Sequence, residues 1–150
     1  LDGFEYYERK VNYYETDRMG IVHHSNYARY LEEARIELMD YYGLPYPYLE
    51  ERGYMIPVLE LHSRFLESVK YGDTIRIVVN IDSVTSAKFV FSYRIYDEDM
   101  KVLKHTAGST HCLLDSSYRP VAIKKLPEDI REKLNYMVET HQRFMGQQKV

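Results

Sequence analysis

The sequence predicts an α+β domain in which one long helix packs against a mainly antiparallel sheet. Three observations carry this. Residues 25–42 hold an apolar stripe at helical spacing. Much of the second half alternates apolar and polar residues with a period of two between turn signals. The long helix comes once, ahead of the strand run, so it packs on one face of a meander.

Taken in order, residues 5–14 carry β-favouring Tyr and Val and read as a first strand. In residues 25–42, Tyr27, Tyr30, Leu31, Ala34, Leu38 and Tyr41 recur at spacings of three and four, while Arg29, Glu32, Arg35 and Glu37 fall mostly elsewhere. At the usual rise this helix is about 27 Å long, enough to cover much of a curved sheet's concave face. Gly43 is placed as its stop and Pro45 confirms the break. Residues 44–54, with Pro45 and Pro47, read as a loop, and 56–69 as mixed extended chain. Tyr71-Gly72-Asp73 is a turn. Then Ile75, Ile77, Val79 and Ile81 share one side of a strand over 74–82. Phe89, Phe91, Tyr93 and Ile95 do the same over 87–96. Asp97-Glu98-Asp99 is a polar tip, 101–114 another strand, Asp115-Ser116-Ser117 a turn and 118–123 a short strand. Pro127 opens a last, charged helix over about 127–142.

The 150 residues read as a single domain over 1–150. Hydrophobic residues at 45% argue against wholesale disorder, and a net charge of −3 argues against a nucleic-acid binder driven by bulk charge. No apolar run is long enough to cross a bilayer and the first residues show no signal-peptide pattern. Cys112 is the one cysteine, so no internal disulfide forms, which favours a reducing, cytoplasmic setting. Sixteen Tyr and no Trp suggest an oligomer interface or a broad ligand groove.

The chemistry concentrates in Tyr14-Glu15-Thr16-Asp17-Arg18-Met19-Gly20-Ile21-Val22-His23-His24-Ser25-Asn26-Tyr27. A strand-like run ends in the carboxylate of Asp17, a turn containing Gly20 follows, and His24 stands at the mouth of the long helix. Unpaired N–H groups at a helix start can receive a developing oxyanion. A thioester suits such a site, because its thiolate leaving group, with a reference pKa of about 8.5, departs without a strong general acid. Asp17 attacks the carbonyl or activates water. The same residues also fit a plain type I turn with Asp first and Gly fourth. Asn26 reads as a helix cap, Glu32 and Glu33 as a solvated face, and Cys112 as a small buried residue. His62, His105 and His111 lack metal-ligand spacing, so no metal is expected. No dinucleotide, P-loop or Gly-x-Ser-x-Gly signature is present.

The string Tyr14-Glu15-Thr16-Asp17-x-x-Gly20-x-Val22-x-His24-x-Asn26-Tyr27 before a helix resembles the hot-dog-fold acyl-CoA thioesterases of the 4-hydroxybenzoyl-CoA thioesterase/YbgC type. Tyr71-Gly72-Asp73 before an alternating strand is similar to the turn these enzymes carry, and the element order matches over about residues 5–123. The resemblance implies a long central helix wrapped by a curved antiparallel sheet. It implies homodimers whose sheets join, often paired into homotetramers, with active sites at the dimer interface. It implies an acyl-CoA substrate and no cofactor beyond the coenzyme A that the substrate brings. By the same resemblance Asp17 is the catalytic carboxylate, His24 supplies a functional side chain or a carbonyl-polarising N–H, and Tyr14 aligns with a Tyr near the acid. Gly20, Val22 and Asn26 complete the substrate-binding motif. Coenzyme A carries phosphates, so Arg64, Lys70, Lys88, Arg119 and Lys124 are candidates to meet them, Lys88 first.

Two other readings of the same residues stay open. An acyl-thioester dehydratase or hydratase would place its base at the carbon next to the carbonyl. A non-catalytic module would bind acyl-CoA without hydrolysing it.

Overall fold

The computed structural model describes residues 2–148. Five antiparallel strands form one sheet in the order β1-β3-β4-β5-β2. They are β1 (Tyr7–Lys10), β2 (Val58–Phe65), β3 (Thr74–Thr85), β4 (Lys88–Asp97) and β5 (Leu103–Cys112). The helix α1 (Ser25–Tyr41) lies against one face, and α2 (Tyr46–Glu51) and α3 (Glu128–Gln147) complete the structure. This is the α+β arrangement expected, with a long helix cradled by the sheet.

The periodicities fix the core. Ile75, Ile77, Val79 and Ile81 of β3 and Phe89, Phe91, Tyr93 and Ile95 of β4 are all buried against α1. From α1 come Tyr27, Tyr30, Leu31, Ala34 and Leu38. Two helix positions differ from the expected stripe. Tyr41 is exposed, and Arg35 is buried, because position 35 lies four residues after Leu31 on the core-facing side.

Several boundaries are corrected. The first strand shrinks from 5–14 to Tyr7–Lys10, since its partner β3 begins only after the turn at Asp73. Residues 13–15 form a 3-10 turn instead. The loop expected over 44–54 contains α2, whose prolines sit where a helix start has N–H groups to spare. The short strand expected over 118–123 is a single bridge between Leu114 and Pro120; Pro120 has no N–H with which to extend a ladder. The final helix runs on to Gln147.

That extension matters for the sheet edge. β1 pairs only with residues 74–77 of β3, leaving the later carbonyls of that edge without a strand. Helix α3 covers them. His141 Nε2 donates to Val79 O (2.7 Å) and Gln142 Nε2 donates to Ile81 O (2.9 Å). Nδ1 of the same His141 pairs with Tyr42 Oη (2.8 Å), which accepts the Phe4 N–H (3.0 Å). The C-terminal helix, the end of α1 and the N-terminal segment are thereby tied together through one buried imidazole.

The opposite edge is bare. β2 pairs with β5 on one side only, and every one of its residues is exposed. Val58, Leu59, Leu61, Phe65 and the following Leu66 are each 44–55% exposed. Among the described residues, no helix is long and apolar enough to cross a membrane.

Candidate active site

Asp17 enters the site through a turn its own side chain braces. The Gly20 N–H donates to Asp17 O (3.0 Å), and the Met19 N–H donates to Asp17 Oδ1 (2.8 Å). Gly20 adopts φ +80°, a backbone that favours glycine. Oδ1 therefore holds the turn, and Oδ2 meets no hydrogen-bond donor among the described residues. The chain then returns antiparallel, with Asp17 N donating to Ile21 O (2.8 Å) and Val22 N to Val69 O (2.8 Å).

Glu15 anchors the whole segment. Its carboxylate is 3% exposed and accepts hydrogen bonds from Asn12 N (2.8 Å), Tyr30 Oη (2.9 Å) and both Nη atoms of Arg9. Burial works to raise its pKa, but these donors outweigh it and hold the carboxyl below the usual range. The Glu15 carbonyl in turn accepts His23 N (2.9 Å) and Asn26 Nδ2 (2.8 Å). Two residues before Asp17, the chain is thus fastened to the first turn of α1.

Asn26 is therefore not the helix cap. The N-cap position is His24, and Asn26 is the second residue of the helix, buried and reaching back to the loop. The capping side chain is that of His23, whose Nδ1 accepts the Ser25 N–H (3.2 Å) and meets Ser25 Oγ (2.8 Å). The ring centroids of His23 and His24 lie 4.1 Å apart. Among the described residues the His24 N–H meets no hydrogen-bond acceptor. Glu33 is no plain solvated residue either; it pairs with Arg9 (2.9 Å) and accepts the Tyr7 hydroxyl (3.0 Å).

Asp17 and His24 line one cavity of about 280 Å³. Its walls are Ile21, Val22 and Tyr27 on one side and Phe65, Leu66 and Glu67 on the other. Behind it Tyr27 stacks on His105 at 4.3 Å, with Phe65 edge-on to both. Burial alone pushes the His105 imidazole down to about 4, so it is a neutral wall. Its Nε2 meets Ser63 Oγ at 3.0 Å.

The other expected residues fall as follows. Val22 lines the cavity; Gly20 sits on the turn beside it. Tyr14 is 80% exposed, and its hydroxyl accepts a hydrogen bond from Asn12 Nδ2 (3.2 Å) outside the cavity wall. Lys88 starts β4 opposite Cys112, at the far end of β5 from His105. Seven residues of strand separate those ends, about 23 Å at the usual rise. Lys70 stands closer, bridged to Ile21. His62 covers Gly108 on one face of the sheet, while His105 and His111 are buried on the other. Among the described residues no three His, Cys, Asp or Glu side chains gather as metal ligands. Phe65, Leu66 and His105 escaped sequence reading as site residues, because β2 and β5 meet the Asp17 loop only in the folded sheet.

Comparison with known proteins matches this frame. The description "Thioesterase-like superfamily" fits residues 11–134, and the chain belongs to that superfamily. A protein of Thermus thermophilus, described in its crystal structure as the hypothetical protein TT1821, is 34% identical. It covers 89% of this chain and 98% of its own, with a TM-score of 0.80. The chloroplastic acyl-acyl carrier protein thioesterase ATL3 of Arabidopsis thaliana is 28% identical over 133 residues, 89% of this chain and 68% of its own. The DHNA-CoA thioesterase of Staphylococcus aureus, at 23% identity and a TM-score of 0.84, covers 97% of this chain and 95% of its own and shares the fold. The hot-dog fold expected from the sequence is the fold found.

Proposed function

We propose that this protein hydrolyses acyl-CoA thioesters to the free acid and coenzyme A. One observation carries the reading: the Asp17 carboxylate and the start of α1, with an unengaged N–H at His24, open onto one apolar-walled cavity. In this reaction the thioester carbonyl lies between them. Asp17 Oδ2 attacks it or takes a proton from an attacking water, and the carbonyl oxygen gains negative charge facing the His24 N–H and the positive end of the helix. The tetrahedral species collapses by breaking the C–S bond, and the thiolate leaves; on the attack route this forms a mixed anhydride with Asp17, which water then cleaves to the free acid and the restored carboxylate. Losing one such oxyanion donor typically costs about 2.7–4 kcal/mol of barrier, so helix and carboxylate contribute comparably. The scheme calls on no metal or redox group. Ile21, Val22, Tyr27, Phe65 and Leu66 hold the acyl chain or pantetheine arm.

The bare β2 edge supports an assembly of identical subunits. A second β2 laid antiparallel along it would continue the sheet and cover the exposed Leu59, Leu61 and Phe65. Such pairing sets the Val58 end of one strand beside the Phe65 end of the other. It carries Lys88, which sits at the Val58 end of the sheet, towards the neighbouring cavity, where it can meet the coenzyme A phosphates. Dimers paired further into a tetramer, working in the cytoplasm, complete the reading.

The test is a panel of short, long and aromatic acyl-CoA esters, with thiol release followed by a chromogenic trap. Wild-type protein should turn over at least one class, and Asp17→Asn should lower kcat by about two orders of magnitude or more with the fold and assembly intact. Near-normal turnover by a correctly assembled Asp17→Asn protein refutes the assignment of Asp17.

A further inference from the structure

We propose that the core holds a binding site for a single small monovalent anion of chloride size, seated on the guanidinium of Arg35 in a small, partly open cavity on the sheet side of α1. The site is separate from the Asp17 cavity, and the proposal stands without the thioesterase reading.

Arg35 is 5% exposed and sits on the core-facing stripe of α1. Among the described residues no carboxylate comes within ion-pair distance of it; the pairs present are Arg9 with Glu15 and Glu33, Arg52 with Asp129 and Arg76 with Glu8. Among the described residues its one hydrogen bond runs from Nη1 to Tyr93 Oη (3.1 Å), and buried Nε has no partner. Taking a cation out of water without a counter-charge costs several kcal/mol even after relaxation. A core that keeps such a charge needs a negative group to meet it.

The surrounding network supplies none. Tyr93 Oη meets Ser109 Oγ at 2.6 Å, and Ser109 Oγ meets His111 Nε2 at 2.8 Å. Arg35 can only donate, so Tyr93 Oη accepts from it. Either hydroxyl can donate in the Tyr93–Ser109 pair, and the His111 tautomer sets the direction of the next bond. His111 Nδ1 is the second buried atom here without a hydrogen-bond partner. The carbonyls of Ile56 and Pro57 approach this ring, but not in hydrogen-bond geometry. Burial keeps the imidazole neutral and the Tyr93 phenol protonated. Every member of the chain is thus neutral except Arg35, and Arg35 Nε and His111 Nδ1 are both buried without a partner.

Arg35 and His111 line the same small cavity, with Phe91, Met137, Tyr46 and Ile56. Its volume of about 10 Å³ is the space of one water-sized particle. That size admits a halide, with thioether walls that can adapt, and is too small to take in a whole sulfate or nucleotide. A water there would satisfy both atoms but leave the charge unmet. Half-buried Tyr46 and Ile56 form the outer wall, so the ion exchanges when α2 or the segment before β2 opens.

The test uses the full chain. Thermal unfolding is followed at constant pH and ionic strength while potassium gluconate is replaced by potassium bromide. Above the dissociation constant, each tenfold rise in bromide should raise Tm by about 4 °C. Arg35→Met should lose that response, leaving only a non-specific salt effect. Crystals grown in bromide should show an anomalous peak about 3.3 Å from Arg35 Nε. Equal Tm in gluconate, chloride and bromide overturns the proposal. So does a bromide crystal with only water, or a partner subunit's carboxylate, on Arg35. If Arg35→Met fails to fold, the wild-type crystal decides.

Discussion

Replacing Glu15 by glutamine removes one charge and almost no volume, which makes it a clean probe of how the Asp17 loop is held. In the wild type Oε1 accepts from Asn12 N, Tyr30 Oη and Arg9 Nη1, and Oε2 accepts from Arg9 Nη2. Glutamine can keep the first three with its carbonyl, but its NH2 then faces Arg9 Nη2, donor against donor. A charge-assisted bond of this kind contributes about 1.5–3 kcal/mol, and breaking a fully buried pair costs about 3–5 kcal/mol. Arg9 retains Glu33 and is itself 15% exposed, so the lower part of that span applies. We expect Glu15→Gln to lose about 2–3 kcal/mol at pH 7, or about 5–10 °C in Tm. The loss has a pH signature. The folded carboxyl titrates below its ordinary 4.5, so its stabilisation is complete above that pH and vanishes as pH falls through the folded value. Glutamine does not titrate, so the two proteins should converge in acid. Urea unfolding of both, followed by circular dichroism from pH 7 downwards, measures this. A loss under about 0.5 kcal/mol at pH 7, or a gap that stays constant below pH 4.5, refutes the reasoning. Because the Glu15 carbonyl also fastens His23 and Asn26, the variant should lose kcat more than it gains KM.

Two further expectations concern the buried imidazoles. Tyr42→Phe leaves the Phe4 N–H and His141 Nδ1 unpaired in the interior and should cost about 2–4 kcal/mol by urea unfolding. Thioester turnover per folded molecule should hold, since Tyr42 lies at the far end of α1 from Asp17. For the wild type, burial depresses the pKa of His105 and His111 to about 4 and lowers that of His141, whereas the unfolded chain protonates them near 6.5. The unfolded state then binds more protons, so stability should fall as pH drops from 6.5 towards 4, by about 1.4 kcal/mol per pH unit for each fully shifted group. A urea midpoint that does not move between pH 7 and pH 5 contradicts this.

The sequence carried the sheet and the central helix because their signals are local. Ile75 to Ile81 and Phe89 to Ile95 alternate, Tyr27 to Leu38 recur every three or four residues, and one pattern could satisfy only one geometry. The Asp17 turn was legible for the same reason: Asp and Gly three apart encode their own backbone. Elements resting on partners were not legible. α2 looked like a loop because prolines tolerated at a helix start read as breaks. The 118–123 strand failed because its ladder needed an N–H that Pro120 lacks.

What the chain determined alone, then, is one carboxylate on a tight turn ahead of an amphipathic helix, since residue spacing and turn chemistry suffice to place them. Folding decided what surrounds that pair. Phe65 and Leu66 reach the cavity only because β2 crosses to the far edge of the sheet, some forty residues after the loop they face. Glu15 and Asn26 became fasteners, and Arg35 an interior cation, only when helix, sheet and loop closed on one another. Hydrogen bonds and burial between distant segments depend on that closure, and no window of neighbouring residues contains it.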